Sequence, residues 1–159
     1  MTIHAVRWPV LHGVHGEGLL IQPQGAIRAR VVAIPDADQT PEQLAGIAPG
    51  IEPKAQFARR LAAAGCQVVV PTLISRNDEH SGNARVRFTN QPHREWVYRQ
   101  AFQMGRHIIG YEVLKVQAII NWFAAENSKI PDPSAIGIAG YHEGGLIAFH
   151  AAALDQRIQ

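Results

Sequence analysis

The sequence predicts a doubly wound, mostly parallel α/β sheet with helices on both faces. Three observations carry this. Short, β-branched, nearly continuous apolar runs recur at Arg30–Pro35, Cys66–Pro71 and Ser134–Gly140, as expected of strands buried on both faces. Segments of helical character separate them, at 54–64 and 106–126. Strand, crossover helix and strand form a βαβ unit, whose connection is almost always right-handed.

In chain order, Gly18–Pro23 reads as a short strand ended by a turn at Gly25. Asp36–Pro53, rich in Pro, Gly and Asp, reads as a loop with one helical turn near Glu42–Ala45. Lys54–Ala64 is helical: Phe57 and Leu61 share a face, and Gly65 supplies the stop. Cys66, the lone cysteine, heads an apolar run and is expected in the core, and no internal disulfide is possible. Ser75–Asn90 is polar and reads as a loop, so 75–104 is expected to be an inserted region ending in a short helix at Glu95–Met104. In the longest periodic segment Ile109, Val113, Val116, Ile120 and Phe123 recur at three- and four-residue steps, which points one stripe at the sheet. Gly144–Ala153 reads as the last helix.

The 159 residues suffice for one domain with its own core and are too few for two of ordinary size. With 47% hydrophobic and 18% charged residues, the composition excludes a disordered chain. A formal charge of +2 implies no large field for nucleic acid, so no nucleic-acid partner is expected. No stretch has the length of a membrane span, and Met1–Val14 lacks the basic-then-apolar order of a signal peptide. No membrane partner is expected, and the cellular location stays open.

Other clusters read as scaffold. Asp78, Glu79 and His80 are adjacent in a polar loop and do not converge on one ion, so neither metal nor cofactor is expected. His93, Arg94, Arg99, Arg106 and His107 read as a solvated basic face paired with Glu95 and Glu112. Trp96, Tyr98 and Phe102 are expected to pack the insertion against the sheet. His4, His12 and His15 read as surface or turn positions, and His150 as packed in its helix face.

Chemistry concentrates at Gly140-Tyr141-His142-Glu143-Gly144, where a strand turns at once into a helix. Such a turn is the geometry of a nucleophile elbow, whose central side chain projects above the sheet from a strained backbone. The residues two before and two after the centre must be small, because strand and helix backbones nearly touch there. Gly140 and Gly144 satisfy this with His142 at the centre; with Glu143 at the centre, Tyr141 would fall at a crowded position. The same spacing also occurs wherever a helix packs closely on a sheet, and a dinucleotide fingerprint fits it worse. In the elbow reading His142 holds the nucleophile position, Glu143 is a second carboxylate candidate, and the Glu143 N–H is one oxyanion donor. The second donor is expected from the loop Asp36-Ala37-Asp38.

The stretch Ala135-Ile136-Gly137-Ile138-Ala139-Gly140-Tyr141-His142-Glu143-Gly144-Gly145, followed by Leu154-Asp155-Gln156-Arg157-Ile158, resembles the elbow region of α/β hydrolases of the dienelactone-hydrolase-like and acetyl-xylan-esterase-like kind. Gly105-Arg106 to Gly110 and Val113 resembles their lead into the preceding helix. The resemblance spans roughly 16–158 and is specific in these two segments. It implies an α/β-hydrolase fold acting on carboxylic esters such as acetyl esters or lactones. Two departures stand out: His142 replaces the family's Ser, and Ile34-Pro35-Asp36-Ala37-Asp38 replaces its His-Gly.

In that fold the triad acid and His follow the elbow on later strands, so the expectation is a partial domain, truncated after the elbow helix. Weak or altered ester hydrolysis is expected, with a non-catalytic binding module or pseudo-hydrolase as the alternative. The expected partners are a small ester substrate, a second copy, or a C-terminal continuation.

Overall fold

A long hairpin opens the chain. Strand β1 (Thr2–Leu11) pairs antiparallel with β2 (Val14–Gln22), from Thr2 opposite Gln22 to Trp8 opposite Gly16. The computed structural model describes residues 1–79, 85 and 90–159. The second strand matches the sequence reading in place and extends it. The first was not foreseen, because Thr2–Leu11 mixes His, Arg and Pro with its apolar residues and most of its side chains are exposed. Such a strand gains its stability from cross-strand pairing rather than burial.

The next three strands, β3 (Ala29–Ile34), β4 (Cys66–Pro71) and β5 (Ala135–Gly140), lie close to where their apolar runs predict them. The sheet order is β1-β2-β4-β3-β5. Strand β3 pairs parallel with both β4 and β5, whereas β2 joins β4 antiparallel. The doubly wound part is therefore parallel, and the hairpin extends it as an antiparallel edge.

The helices cover both faces. Helices α1 (Pro41–Ala45) and α2 (Phe57–Ala63), with a 3₁₀ turn at Pro53–Ala55 between them, pack on the face of Leu19, Ile21, Ala33, Val68 and Val70. Ala58 and Ala62 of α2 are buried there, while Phe57 and Leu61 are half-buried at the margin. Gly65, at φ 95°, ends α2 and turns the chain into β4. Cys66 is half-buried at that entry, short of the expected core position.

On the other face lie α4 (Ile108–Asn127) and α5 (Glu143–Leu154), against Val32, Ile34, Val69 and Ile136. Of the predicted stripe, Val113, Val116, Ile120 and Phe123 are buried and Ile109 is half-buried, each buried side chain contributing about 1.5–3 kcal/mol of hydrophobic stabilisation. Helix α3 (His93–Gln103) packs beside α4.

Three further sequence expectations are corrected. Trp96, Tyr98 and Phe102 are exposed rather than packed on the sheet, with the Tyr98 ring tilted against Phe102 and edge-on to His107. His150 is also exposed, edge-on to Phe149. Arg94 is buried rather than part of a solvated face. His4, His12 and His15 are exposed as expected. His80, of the Asp78-Glu79-His80 cluster, and part of the expected insertion lie outside the described residues. Among the described residues no metal-binding group of His, Cys, Asp and Glu occurs, and no helix is long and apolar enough to cross a membrane.

Candidate functional site

Strand β5 ends at Gly140, and α5 begins at Glu143, so only Tyr141 and His142 separate them. His142 has φ 48° and ψ −115° and is the sole non-glycine residue with positive φ among the described residues. Positive φ in a bulky residue costs free energy and persists only where its surroundings enforce it.

Here the enforcement comes from backbone crowding. A Cβ on Gly140 would fall on the Gly144 carbonyl group, and a Cβ on Gly144 would fall on the carbonyl oxygens of Ile34 and Pro35. Strand β5, helix α5 and the end of β3 are thus in backbone contact, which only these two glycines permit. Tyr141 N–H donates to Ile34 O at 3.3 Å, and Leu146 N–H donates to His142 O at 3.1 Å, fixing the turn from both sides.

The His142 side chain is exposed at the carboxyl edge of the parallel strands, with its ring 4.2 Å from that of Tyr141, centroid to centroid. Among the described residues no carboxylate or second imidazole is hydrogen-bonded to it. Tyr141 is exposed and lines a cleft of about 460 Å³ with Gln39, Ile51 and Phe57. A second cleft, of about 430 Å³, lies beside Glu143, Arg76, Arg94, Tyr98 and Leu146.

The loop after β3 meets the turn directly. Asp36 Oδ1 accepts the Glu143 N–H at 3.2 Å. The Asp36 N–H in turn donates to Gln39 Oε1 at 3.2 Å. Ala37 is buried and Asp38 is exposed. Arg76, just after β4, bridges Asp36 Oδ2 at 3.3 Å, Asp38 Oδ2 at 2.9 Å and the Glu143 carboxylate. Burial opposes the Asp36 anion, but the N–H groups of Glu143 and Ala37, together with Arg76, outweigh it. Its carboxyl is held below the usual carboxylate range. Burial likewise works against Arg76, and the carboxylates of Asp36, Glu143 and Asp38 outweigh it, keeping the guanidinium firmly charged.

Behind the turn lies an ionic network whose Arg94–Glu112 pairing the sequence reading included, but whose burial and link to Glu143 it missed. Arg94 Nε donates to Glu143 Oε1 at 2.7 Å, and its Nη2 also meets that carboxylate. Arg94 Nη1 reaches Glu112 Oε1 and Ile74 O, each at 3.0 Å. Glu112 has no exposed surface, accepts the Ile74 N–H at 2.9 Å, and lies 2.7 Å from Lys115 Nζ. Glu143 is therefore a carboxylate clamped between two guanidinium groups. Glu112 sits beside Val113 on the buried face of α4, and that charge inside an apolar stripe was the available signal.

Of the residues predicted for the site, the structure gathers His142, Glu143, Asp36, Asp38 and Tyr141 around one turn, with Gly140 and Gly144 beneath it and Ala37 buried in the same loop, its N–H on the Asp36 carboxylate. The same charge network adds Gln39, Arg76, Arg94 and Glu112.

The family model described as "Dienelactone hydrolase family" matches residues 17–159. No curated protein matches the chain in sequence. Among solved structures, the chain is similar to a putative acetyl xylan esterase from Bacteroides fragilis NCTC 9343, at 20% identity and TM-score 0.70, covering 98% of this chain and 42% of that one. It is similar to the dienelactone hydrolase from Anabaena variabilis ATCC 29413, at 19% identity and TM-score 0.56, covering 99% and 60%. A cold-adapted esterase from an Arctic intertidal metagenomic library matches at 15% identity and TM-score 0.57, covering 98% and 55%. The chain thus spans about half the length of these structures.

Proposed function

The chain belongs to the dienelactone hydrolase family, and from that premise we propose that it is a carboxylic-ester-hydrolase-type module, related to enzymes of acetyl esters or lactones, whose acyl-transfer chemistry is weak or altered. One observation carries this reading. His142 stands at φ 48° between β5 and α5, braced by Gly140 and Gly144, where a serine hydrolase of this fold places its nucleophile. The backbone suits an elbow; the side chain does not suit the usual reaction. Imidazole can accept an activated acyl group, but a sole, unassisted imidazole lacks the base and orienting acid that make a Ser nucleophile efficient.

The test is hydrolysis of an aryl acetate and an aryl lactone by the purified chain. The expected rate is indistinguishable from buffer, and His142→Ser is expected to gain little, because no carboxylate or imidazole among the described residues is hydrogen-bonded at position 142. Rapid turnover abolished by His142→Ala would overturn the reading of weak chemistry and make His142 a nucleophile.

A second reading, a non-catalytic binding module, is favoured by a separate observation. The Glu143 N–H already donates to Asp36 and so does not stand open for a substrate oxygen. Under this reading the chain keeps the clefts beside Tyr141 and Glu143 while the chemistry is lost. A ligand that binds with no turnover, and is lost on substitution of either cleft, would favour it.

A further inference from the structure

We propose that Asp36 and Gln39 are built-in occupants of the oxyanion hole, so that the chain's own side-chain oxygens take the backbone donors an ester hydrolase would offer its tetrahedral anion. This rests on reading the turn at His142 as an elbow. The two donors in question are the N–H after the central residue and an N–H from the loop after β3. In this chain the first, on Glu143, meets Asp36 Oδ1 at 3.2 Å. The second, on Asp36, meets Gln39 Oε1 at 3.2 Å.

A carboxylate capping the start of α5 would account for the Glu143 contact alone. It does not account for Gln39 filling the N–H of the same loop residue. The closure is also braced. Arg76 holds Asp36 through its other oxygen and ties it to Asp38 and Glu143, while Arg94 fixes Glu143 from the far side.

The consequence is electrostatic as well as steric. An oxyanion needs donors about 2.7–3.1 Å from its final position, and here it would also form beside a fixed carboxylate. Two anions sharing one site repel each other. Asp36 therefore works against acyl transfer independently of what occupies position 142, and a Ser placed there would have no vacant donors.

Phenylboronic acid separates the two effects. The Oγ of a serine adds to trigonal boron, loses its proton to water, and leaves a tetrahedral boronate anion with a hydroxyl at the oxyanion position. Affinity for phenylboronic acid is measured by calorimetry and boron NMR on His142→Ser and on His142→Ser/Asp36→Ala. Binding at least tenfold tighter in the double variant is expected, and equal affinity would overturn the closure. His142→Ser/Asp36→Asn, which keeps the size and removes the charge, should lie between them.

Hydrogen exchange of the Glu143 amide tests the contact directly in the otherwise native chain. Asp36→Ala should speed that exchange at least tenfold while core amides of β3 and α4 stay protected. Unchanged exchange would overturn the closure and leave the elbow reading intact. Faster exchange with no boronate binding to either serine variant would overturn the elbow reading itself, and the inference with it.

Discussion

Arg94 and Glu143 lie 49 residues apart in the chain, yet Arg94 Nε donates to Glu143 Oε1 at 2.7 Å. The same guanidinium reaches Glu112 at 3.0 Å with almost none of its surface exposed. One buried cation thus joins α3, α4 and the first residue of α5.

Removing one member of a buried charge network leaves its partners uncompensated. Arg94→Ala should destabilise the chain by roughly 3–5 kcal/mol, read as a lower urea midpoint. Arg94→Lys should recover only part of the loss, because an ammonium cannot span Glu112, Glu143 and the Ile74 carbonyl as the guanidinium fork does. A loss below about 1 kcal/mol for Arg94→Ala would show that the network contributes little.

The three glycines at the turn make an internal comparison. Gly140→Ala and Gly144→Ala each drive a methyl into backbone and should cost about 1–3 kcal/mol or more. A Cβ on Gly145 comes no closer than 3.4 Å to its nearest neighbour, the Gly140 oxygen. Gly145→Ala should be neutral or stabilising by up to about 1 kcal/mol, since alanine favours a helix. Thermal unfolding of the three variants reads the difference, and equal effects would contradict the close approach.

Positive φ at a non-glycine residue is a cost that glycine does not bear. His142→Gly should therefore stabilise the chain by about 1 kcal/mol, raising the melting temperature by about 2–4 °C. A fall in melting temperature would mean that the His142 ring contributes more than its backbone strain removes.

Asp36 sets an acid limit. Its carboxyl is held below the usual range in the folded chain, through the Glu143 and Ala37 N–H groups and Arg76 working against burial. The unfolded carboxyl titrates near about 3.9. The stabilisation is therefore fully present above that pH and is lost as pH falls through the lower folded value. Stability of the native chain should decline more steeply below about pH 4 than that of Asp36→Asn, as measured by urea unfolding at stepped pH. Parallel curves would exclude a contribution from this group.

Among the described residues the outer edge of β5 meets only a single bridge, from Ile136 to Ile158, and Leu146, Phe149 and Leu154 on the adjoining α5 are 46%, 69% and 69% exposed. Open strand edges flanked by apolar surface invite pairing. The 159-residue chain is expected to self-associate in a concentration-dependent way, as light scattering after size exclusion would detect. A monomer at every concentration, with a sharp unfolding transition, would oppose this.

Much of the scaffold was legible before folding because its signals are local. Apolar runs mark β3, β4 and β5, Gly65 stops α2, and the spacing of Gly140 and Gly144 places His142 at the centre of the turn. The helical stripe from Val113 to Phe123 follows from its period alone. The hairpin strand β1 escaped, since its register depends on β2 and hardly on burial.

What the sequence by itself determined is therefore the alternating α/β order and the position of the turn, both written in residues close along the chain. Only the tertiary structure decided how that turn is furnished. Asp36, Gln39, Arg76, Arg94 and Glu112 come from four separate segments, and their partners depend on β3 lying between β4 and β5. The physical reason is range: steric demands of a turn act within a few residues, whereas buried charges choose partners by proximity in space. Arg94 reads as part of a solvated basic face and Asp36 as a backbone donor, until the sheet brings Glu143 between their side chains.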